Sequence, residues 1–173
     1  MRQGSFEKNL SGFEMSTPTF NKKSNYEKKR ATARVYVSTK QTIEDIVGNR
    51  RDRVKIQEFA NASEIYEMLY HLIDEDFDKL SFVIKALKHY FKDDIDVPNL
   101  LSQKDNQVTV KIFKTSKFLI ENTMNNDRNK TYTDELYKAV QIYAVVYYTL
   151  GEDTENKKDI LYNIITDYKK SYA

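Results

Sequence analysis

The chain contains the stretch Ala31-Thr-Ala-Arg-Val-Tyr-Val-Ser38, in which apolar and polar side chains alternate. Alternation with a period of two predicts a short β-strand. The inward face of this strand would carry Ala33, Val35 and Val37, and the outward face would carry Thr32, Arg34 and Tyr36. With only 4 Gly and 2 Pro in the whole sequence, the surrounding chain favours helices over a many-stranded barrel.

The same alternation returns in the stretch Val108-Thr-Val-Lys-Ile-Phe-Lys114. It predicts a second strand, whose inward residues are Val108, Val110 and Ile112 and whose outward residues are Thr109, Lys111 and Phe113. Lys114 stands where the first strand has Val37. Either the two patterns diverge at this position, or the second strand ends before Lys114.

Further matches at an offset of about 77 residues extend the similarity beyond the strands. Arg34-Val-Tyr aligns with Lys111-Ile-Phe, Thr39-Lys40 with Ser116-Lys117, and Ile43-Glu44 with Ile120-Glu121. Glu64-Ile-Tyr66 then aligns with Glu135-Leu-Tyr137 at an offset near 71. We therefore expect two strand-helix-helix copies, with about six extra residues in a loop from Arg50 to Phe59 of the first copy. In that copy the second helix would begin near Asn61, capped by Asn61 or Ser63.

Hydrophobic spacing divides the rest of the chain. We predict a mostly α protein with one small antiparallel ribbon, and a connector helix that runs from about Phe77 to Phe91. The C-terminal helix would either pack back or bind a partner. The expected divisions are a flexible basic arm (1–30), a first unit (31–76), a helical connector and loop (77–106), a second unit (107–150) and a C-terminal helix (151–173).

Composition excludes several classes of function. The chain has no Cys and only 2 His, so we expect no metal site and no disulfide. We found no Gly-rich phosphate loop, nucleophile elbow or histidine acid-base pair in the sequence, so we expect neither an enzyme nor a cofactor. No apolar run reaches membrane-spanning length, which predicts a cytoplasmic protein without a membrane partner. The net charge of +2 is too small to indicate nucleic acid by itself, but the positive excess lies in the N-terminal arm.

The repeated order of one strand and two helices resembles the ribbon-helix-helix family of DNA-binding proteins, the Arc and MetJ class. The resemblance covers roughly residues 31–76 and 107–150. In that family, two short antiparallel strands enter the major groove and helix N-termini hold the flanking phosphates. The resemblance implies that the strands 31–38 and 108–114 form an intramolecular pseudo-dimer. The sequence leaves open whether they pair within one chain or between two chains.

The outward strand residues are the candidate base contacts: Thr32, Arg34, Tyr36, Thr109, Lys111 and Phe113. Arginine and lysine donate to guanine acceptors, threonine bonds to bases or phosphates, and aromatic rings touch thymine methyl groups. The alternative interpretation is a solvent-facing hairpin, on which such residues are ordinary.

Basic residues and predicted helix starts supply the candidate phosphate contacts. Those residues are Lys28, Lys29, Arg30, Arg50, Arg51, Arg53, Asn61, Ser63, Thr131 and Thr133. Cationic side chains bind phosphates in a salt-dependent manner, and the first N–H groups of a helix bind anions. For the arginines from 50 to 53, the alternative is a solvated loop paired with Asp52 and Glu58.

By analogy with tandem members of the family, the expected role is sequence-specific binding of double-stranded DNA. The chain would act as a transcriptional regulator or as a relaxosome accessory factor at the transfer origin of a conjugative plasmid. Its further partners would be a relaxase or other DNA-processing protein and further copies of itself. The Lys-, Asn-, Ile- and Tyr-rich composition is typical of an AT-rich bacterial mobile element. The alternative from another class is a phage- or plasmid-encoded inhibitor module that binds a protein through its Tyr-rich helices.

Overall fold

The computed structural model describes residues 29–48, 52–100, 106–151 and 156–171. Eight elements follow one another in this part of the chain: β1 (Arg30–Tyr36), α1 (Val37–Val47), α2 (Asp52–Leu72), α3 (Lys79–Tyr90), β2 (Gln107–Phe113), α4 (Lys114–Met124), α5 (Tyr132–Leu150) and α6 (Lys157–Ser171). The prediction of a mostly helical protein with one small antiparallel sheet is confirmed. Within the described ranges, no helix combines the length and the apolar character needed to cross a membrane.

The strands β1 and β2 pair antiparallel in a two-stranded ribbon within this chain. Ala33 lies opposite Val110 at the centre of the ribbon, Arg30 lies opposite Phe113 at one end, and Tyr36 lies opposite Gln107 at the other. Successive side chains of a strand point to opposite faces. The inward face carries the buried Ala33, Val35 and Ile112, and the outward face carries the exposed Thr32, Arg34, Thr109 and Lys111. The predicted alternation of both strands is therefore confirmed.

Both strands end by turning directly into a helix. Val37, which we predicted as an inward strand residue, is the first residue of α1 and is 40% exposed, so that prediction is wrong. Its N–H donates to the Asn106 carbonyl at 2.8 Å, and at the opposite end of the ribbon the Lys114 N–H donates to the Lys29 carbonyl at 2.8 Å. These two bonds close the ribbon, so Lys114 lies beyond its end.

The strand and the helix after it occur twice with the same lengths. Arg30 and Gln107 open the strands at an offset of 77 residues (107 minus 30), and Val37 and Lys114 open the helices at the same offset. Both helices end at a residue in the left-handed backbone region, Gly48 in one copy and Asn125 in the other. Glycine and asparagine adopt this conformation more readily than other residues. The spacing found in the sequence thus matches equivalent positions in the fold.

The second helix of the first copy starts earlier than we predicted. It begins at Asp52 and not near Asn61, so the prediction of a loop up to Phe59 is wrong. Ile56 and Phe59 are both buried in this added segment. They extend the apolar stripe of α2 by two turns, and burying that stripe stabilises helix where the local sequence alone reads as a basic loop.

The core lies beneath the ribbon and is shared by both copies. The helix α1 packs against α5, and α4 packs against α2, so each first helix contacts the second helix of the other copy. Ile43 and Ile120 occupy equivalent positions in α1 and α4 and are both fully buried. The central part of α5 is apolar and is buried around most of its circumference. The helix α6 packs against α2, α3 and α5 through Leu161, Ile164 and Ile165.

Replacing Ile43 or Ile120 by alanine tests whether both copies contribute to one core. Each change removes a fully buried side chain, and we expect each variant to lose about 2 to 5 kcal/mol of unfolding free energy. Urea unfolding followed by circular dichroism measures the loss. The control is Gln41→Ala at an exposed position of α1, which should change stability by about 0.5 kcal/mol or less. A negligible loss at either isoleucine would contradict the shared core.

Candidate nucleic-acid interface

The exposed face of the ribbon collects the predicted base-contacting residues. Thr32 lies opposite Lys111, and Arg34 lies opposite Thr109, so the four exposed side chains form two cross-strand pairs around the Ala33–Val110 centre. Tyr36 and Phe113 lie on the same face at opposite ends and are half-buried. Neither strand contains an acidic residue. The face is therefore positive and rich in hydrogen-bond donors.

The shape of this face suits the major groove of DNA. The groove of B-DNA is about 12 Å wide and admits a two-stranded ribbon. Arginine pairs with the O6 and N7 acceptors of guanine, and lysine donates to the same atoms. The Arg34 Nε donates to the Gln107 Oε1 at 3.1 Å, which holds the guanidinium near the end of the ribbon where Gln107 lies opposite Tyr36. Gln107 was not among the predicted site residues, although it aligns with the basic Arg30 at the offset of 77.

Tyr36 anchors its end of the ribbon on α5. Its hydroxyl donates to the Asp134 Oδ1 at 2.6 Å, and its ring meets the Tyr137 ring edge-on at 5.7 Å between centroids. The hydrogen bond to the Asp134 carboxylate raises the pKa of Tyr36 to about 12. Phe113 occupies the equivalent position at the other end without a hydroxyl. The Tyr36 hydroxyl thus has a structural partner, which leaves the ring as the part that can meet a thymine methyl group.

Protein groups already bind to the N-terminus of α5, where a helix exposes backbone N–H groups and the positive end of its dipole. Thr131 caps the helix by accepting the Asp134 N–H, and its own hydroxyl donates to the Asp134 Oδ2 at 2.7 Å. The Thr133 hydroxyl donates to the Arg34 carbonyl at 3.1 Å. A carboxylate at the first turn complements the helix dipole and would repel a phosphate. Thr131 therefore lies at a helix start, as predicted, but both threonine hydroxyls are bonded within the protein.

Asn61 and Ser63 lie in the middle of α2 and not at its start. The Ser63 hydroxyl is buried and donates to the Phe59 carbonyl at 2.8 Å, and the Asn61 Nδ2 donates to the Glu58 Oε1 at 3.0 Å. The prediction that one of them caps the helix is wrong, because the helix continues two turns further back. Their predicted phosphate contacts, which depended on a helix start, lose that physical basis.

The added turns of α2 lie beside β2. One cavity of about 190 Å³ lies between the two elements and is lined by Asp52, Lys55, Ile56 and Phe59 of α2 and by Thr109, Val110 and Lys111 of β2. Arg53 is exposed on these turns. Lys55 donates to the Glu44 Oε2 at 2.9 Å, and this hydrogen bond lowers the pKa of Glu44. A helix start that carries Asp52, Arg53 and Lys55 thus borders the β2 edge of the ribbon, whereas Asp134 borders the β1 edge.

Other predicted phosphate contacts lie close to the ribbon or outside the described residues. Lys29 and Arg30 are exposed at the end of the ribbon, and Arg30 is the first residue of β1 and not part of the predicted arm. Lys28, Arg50 and Arg51 lie outside the described residues, as does the rest of the predicted arm.

A buried carboxylate beneath the ribbon was missed at the sequence level. Glu135 is fully buried and accepts hydrogen bonds from the Tyr66 hydroxyl at 3.1 Å, the Tyr70 hydroxyl at 3.2 Å and the Lys138 ammonium at 3.0 Å. Burial raises the pKa of Tyr66, and the negative charge of Glu135 adds to the effect. A buried charge persists only when it is paired and hydrogen-bonded. This network fixes the first turn of α5, where Asp134 holds Tyr36.

Removing the Tyr36 hydroxyl should reveal its structural role. We expect Tyr36→Phe to lower the unfolding free energy by about 1 kcal/mol at neutral pH. Because the pKa of Tyr36 in the folded protein lies above its ordinary value of 10.0, the contact stabilises fully below pH 10 and is lost as the pH rises toward about 12. The stability gap between wild type and variant should therefore shrink over that range.

Urea titrations at a series of pH values measure this gap. Tyr162→Phe makes the same chemical change at an exposed side chain of α6 and is the matched control. A gap for Tyr36→Phe that stays constant up to pH 12 would contradict the Asp134 contact.

Comparisons with models of protein families, with curated proteins and with solved structures find no match to this chain. A functional interpretation therefore depends on the register, exposure and charge of the residues themselves. The outward face of the ribbon, with Arg34 and Lys111 on opposite strands, is the candidate interface.

Proposed function

We propose that this chain binds double-stranded DNA in a sequence-specific manner by placing the β1–β2 ribbon in the major groove. The observation that carries the proposal is the register of four exposed residues, in which Thr32 lies opposite Lys111 and Arg34 lies opposite Thr109. They place two cationic donors and two hydroxyls symmetrically about the ribbon centre. Direct readout in the major groove requires donors of this kind on an element that fits the groove, such as a two-stranded ribbon.

We further propose that the two strand-helix-helix copies are tandem ribbon-helix-helix units that form an intramolecular pseudo-dimer. The equal lengths of β1 and β2, the offset of 77 residues and the two equivalent hydrogen bonds at the ribbon ends support this interpretation. The exchange of helix contacts between the copies supports it as well, because a pair of small units that share one core buries more apolar surface than either does alone.

Backbone contacts would come from cations around the ribbon. Arg53 on α2 and Lys29 and Arg30 at the ribbon end are exposed. Each phosphate that a cation neutralises releases counterions, which makes binding steeply dependent on salt. The N-terminus of α5 is a poorer phosphate site, because Asp134 occupies its first turn.

The proposed biological role is an accessory factor at a plasmid transfer origin, with transcriptional regulation as the second role of the same DNA-binding activity. In the first role the chain marks a site in the cytoplasm for a relaxase or another DNA-processing protein and carries no chemistry of its own. This choice rests on analogy with tandem ribbon-helix-helix proteins.

Selection from a random duplex pool tests the DNA-binding proposal directly. We expect enrichment of a short motif that binds at least about a hundredfold more tightly than random duplex. Fluorescence anisotropy at two salt concentrations measures both affinities. If no motif is enriched, the proposal fails, and a protein-binding module using exposed rings such as Tyr90, Tyr148 and Tyr162 takes its place.

The double substitution Arg34→Ala with Lys111→Ala should abolish preference for the enriched motif while the fold remains intact. Each lost contact to a base edge costs about tenfold or more in discrimination. The control is Lys85→Ala with Lys88→Ala, which removes the same charge from the exposed side of α3. Equal preference for the motif in both double variants would refute the assignment of the ribbon face.

Replacing Arg53 by alanine should instead weaken binding to the motif and to random duplex by similar factors. A phosphate contact carries no base information, and its loss should reduce the slope of log affinity against log salt by about 0.9. Lys85→Ala again serves as the control. A selective loss of motif binding would show that Arg53 contacts bases.

A further inference from the structure

We infer that the chain binds its DNA site in one orientation, because the two ends of the ribbon present different chemistry to two different half-sites. The inference rests on the proposed function and specifies the DNA that it recognises. It follows from the register of the ribbon and from the structures that border its two edges.

The register divides the outward face into two ends around Ala33 and Val110. One end, here named the Arg30 end, carries Arg30, Thr32, Lys111 and Phe113. The other, here named the Gln107 end, carries Gln107, Thr109, Arg34 and Tyr36. A half-turn of the ribbon about its centre would exchange these two sets residue by residue.

Only the threonines are the same after that exchange. Arg30 would take the place of Gln107, and Lys111 would take the place of Arg34. Glutamine pairs with the N6 and N7 atoms of adenine, whereas arginine pairs with the O6 and N7 atoms of guanine. The Arg30 end therefore favours guanine through Lys111, with Arg30 placed to bind the phosphate proposed above or a second guanine, and the Gln107 end favours a guanine next to an adenine.

The hydrogen bond between Arg34 and Gln107 strengthens this difference. The Arg34 Nε is held by the Gln107 Oε1 at 3.1 Å, so the Gln107 end offers a joined arginine–glutamine unit. The equivalent residues at the Arg30 end are two cations, Lys111 and Arg30, which repel each other and cannot form such a bond. One end is thus pre-oriented for recognition, and the other is not.

The two long edges of the ribbon differ as well. The first turns of α2, with the exposed Asp52 and Arg53, border β2, whereas the Asp134 carboxylate at the start of α5 borders β1. A half-turn would exchange a helix start that carries the exposed cation Arg53 beside Asp52 for one whose first turn carries the Asp134 carboxylate and no cation. Backbone contacts therefore favour the same single orientation as the base contacts.

The orientation can be measured with an iron chelate attached to the protein, because the chelate cuts the DNA close to its point of attachment. The chain contains no cysteine, so one introduced cysteine gives one attachment point. Lys29→Cys and Asn106→Cys place the chelate at opposite ends of the ribbon, since both positions are exposed and the carbonyl of each accepts one of the ribbon-closing bonds. Lys29→Cys also removes one proposed phosphate contact, which should lower the affinity for every duplex without changing which half of the motif is cut. The target is the motif enriched from the random pool.

We expect each cysteine to cut one half of the motif, and the two cysteines to cut opposite halves. Two symmetrised duplexes, each carrying one half-site twice, should bind about tenfold or more weakly than the selected motif. Cutting of both halves with equal intensity from each cysteine would overturn the inference. A symmetrised duplex that binds as tightly as the selected motif would overturn it too.

An exchange variant, Arg30→Gln with Gln107→Arg, tests the role of the side chains. It keeps the composition and the net charge, and we expect the cleavage to move toward the opposite halves or to lose its preference. An unchanged pattern at unchanged affinity would overturn the assignment of orientation to the ribbon ends. Failure to enrich any motif would be a different result, because it overturns the proposed function and with it this inference.

Discussion

The antiparallel pairing of β1 with β2 is the constraint on which the rest of the structure depends. A two-stranded ribbon is at best marginally stable by itself, and here the strands belong to distant parts of the chain. The pairing persists because inward residues such as Val35 and Ile112 are buried against helices. Since α1 and α4 follow the strands without a loop, the register of the ribbon also fixes where both helices start.

Much of the ribbon was predictable because its signal is local. A period of two in the sequence identifies a strand and assigns each side chain to a face, and the structure confirms both faces. The offset of 77 residues was visible in short matches such as Arg34-Val-Tyr with Lys111-Ile-Phe. The end of the strands was less predictable, because Val37 continues the apolar alternation although the chain has already turned into a helix.

The parts that sequence reasoning missed depend on contacts between distant elements. The start of α2 at Asp52 depends on the burial of Ile56 and Phe59. The basic residues around them predict an exposed loop, so the burial cannot be inferred from the local sequence. Glu64 and Glu135 align in the repeated Glu-x-Tyr pattern, yet Glu64 is exposed and Glu135 is fully buried. Identical residues at aligned positions thus acquire different environments, because the two copies have different neighbours.

Covalent linkage of the two strands changes how the ribbon responds to dilution. In a dimer built from two chains, the ribbon exists only above the concentration at which the subunits associate, so its stability falls as copy number falls. Here both strands belong to one polypeptide, and their pairing is a unimolecular step. The ribbon is therefore as complete in a cell that holds a few molecules as in a concentrated solution.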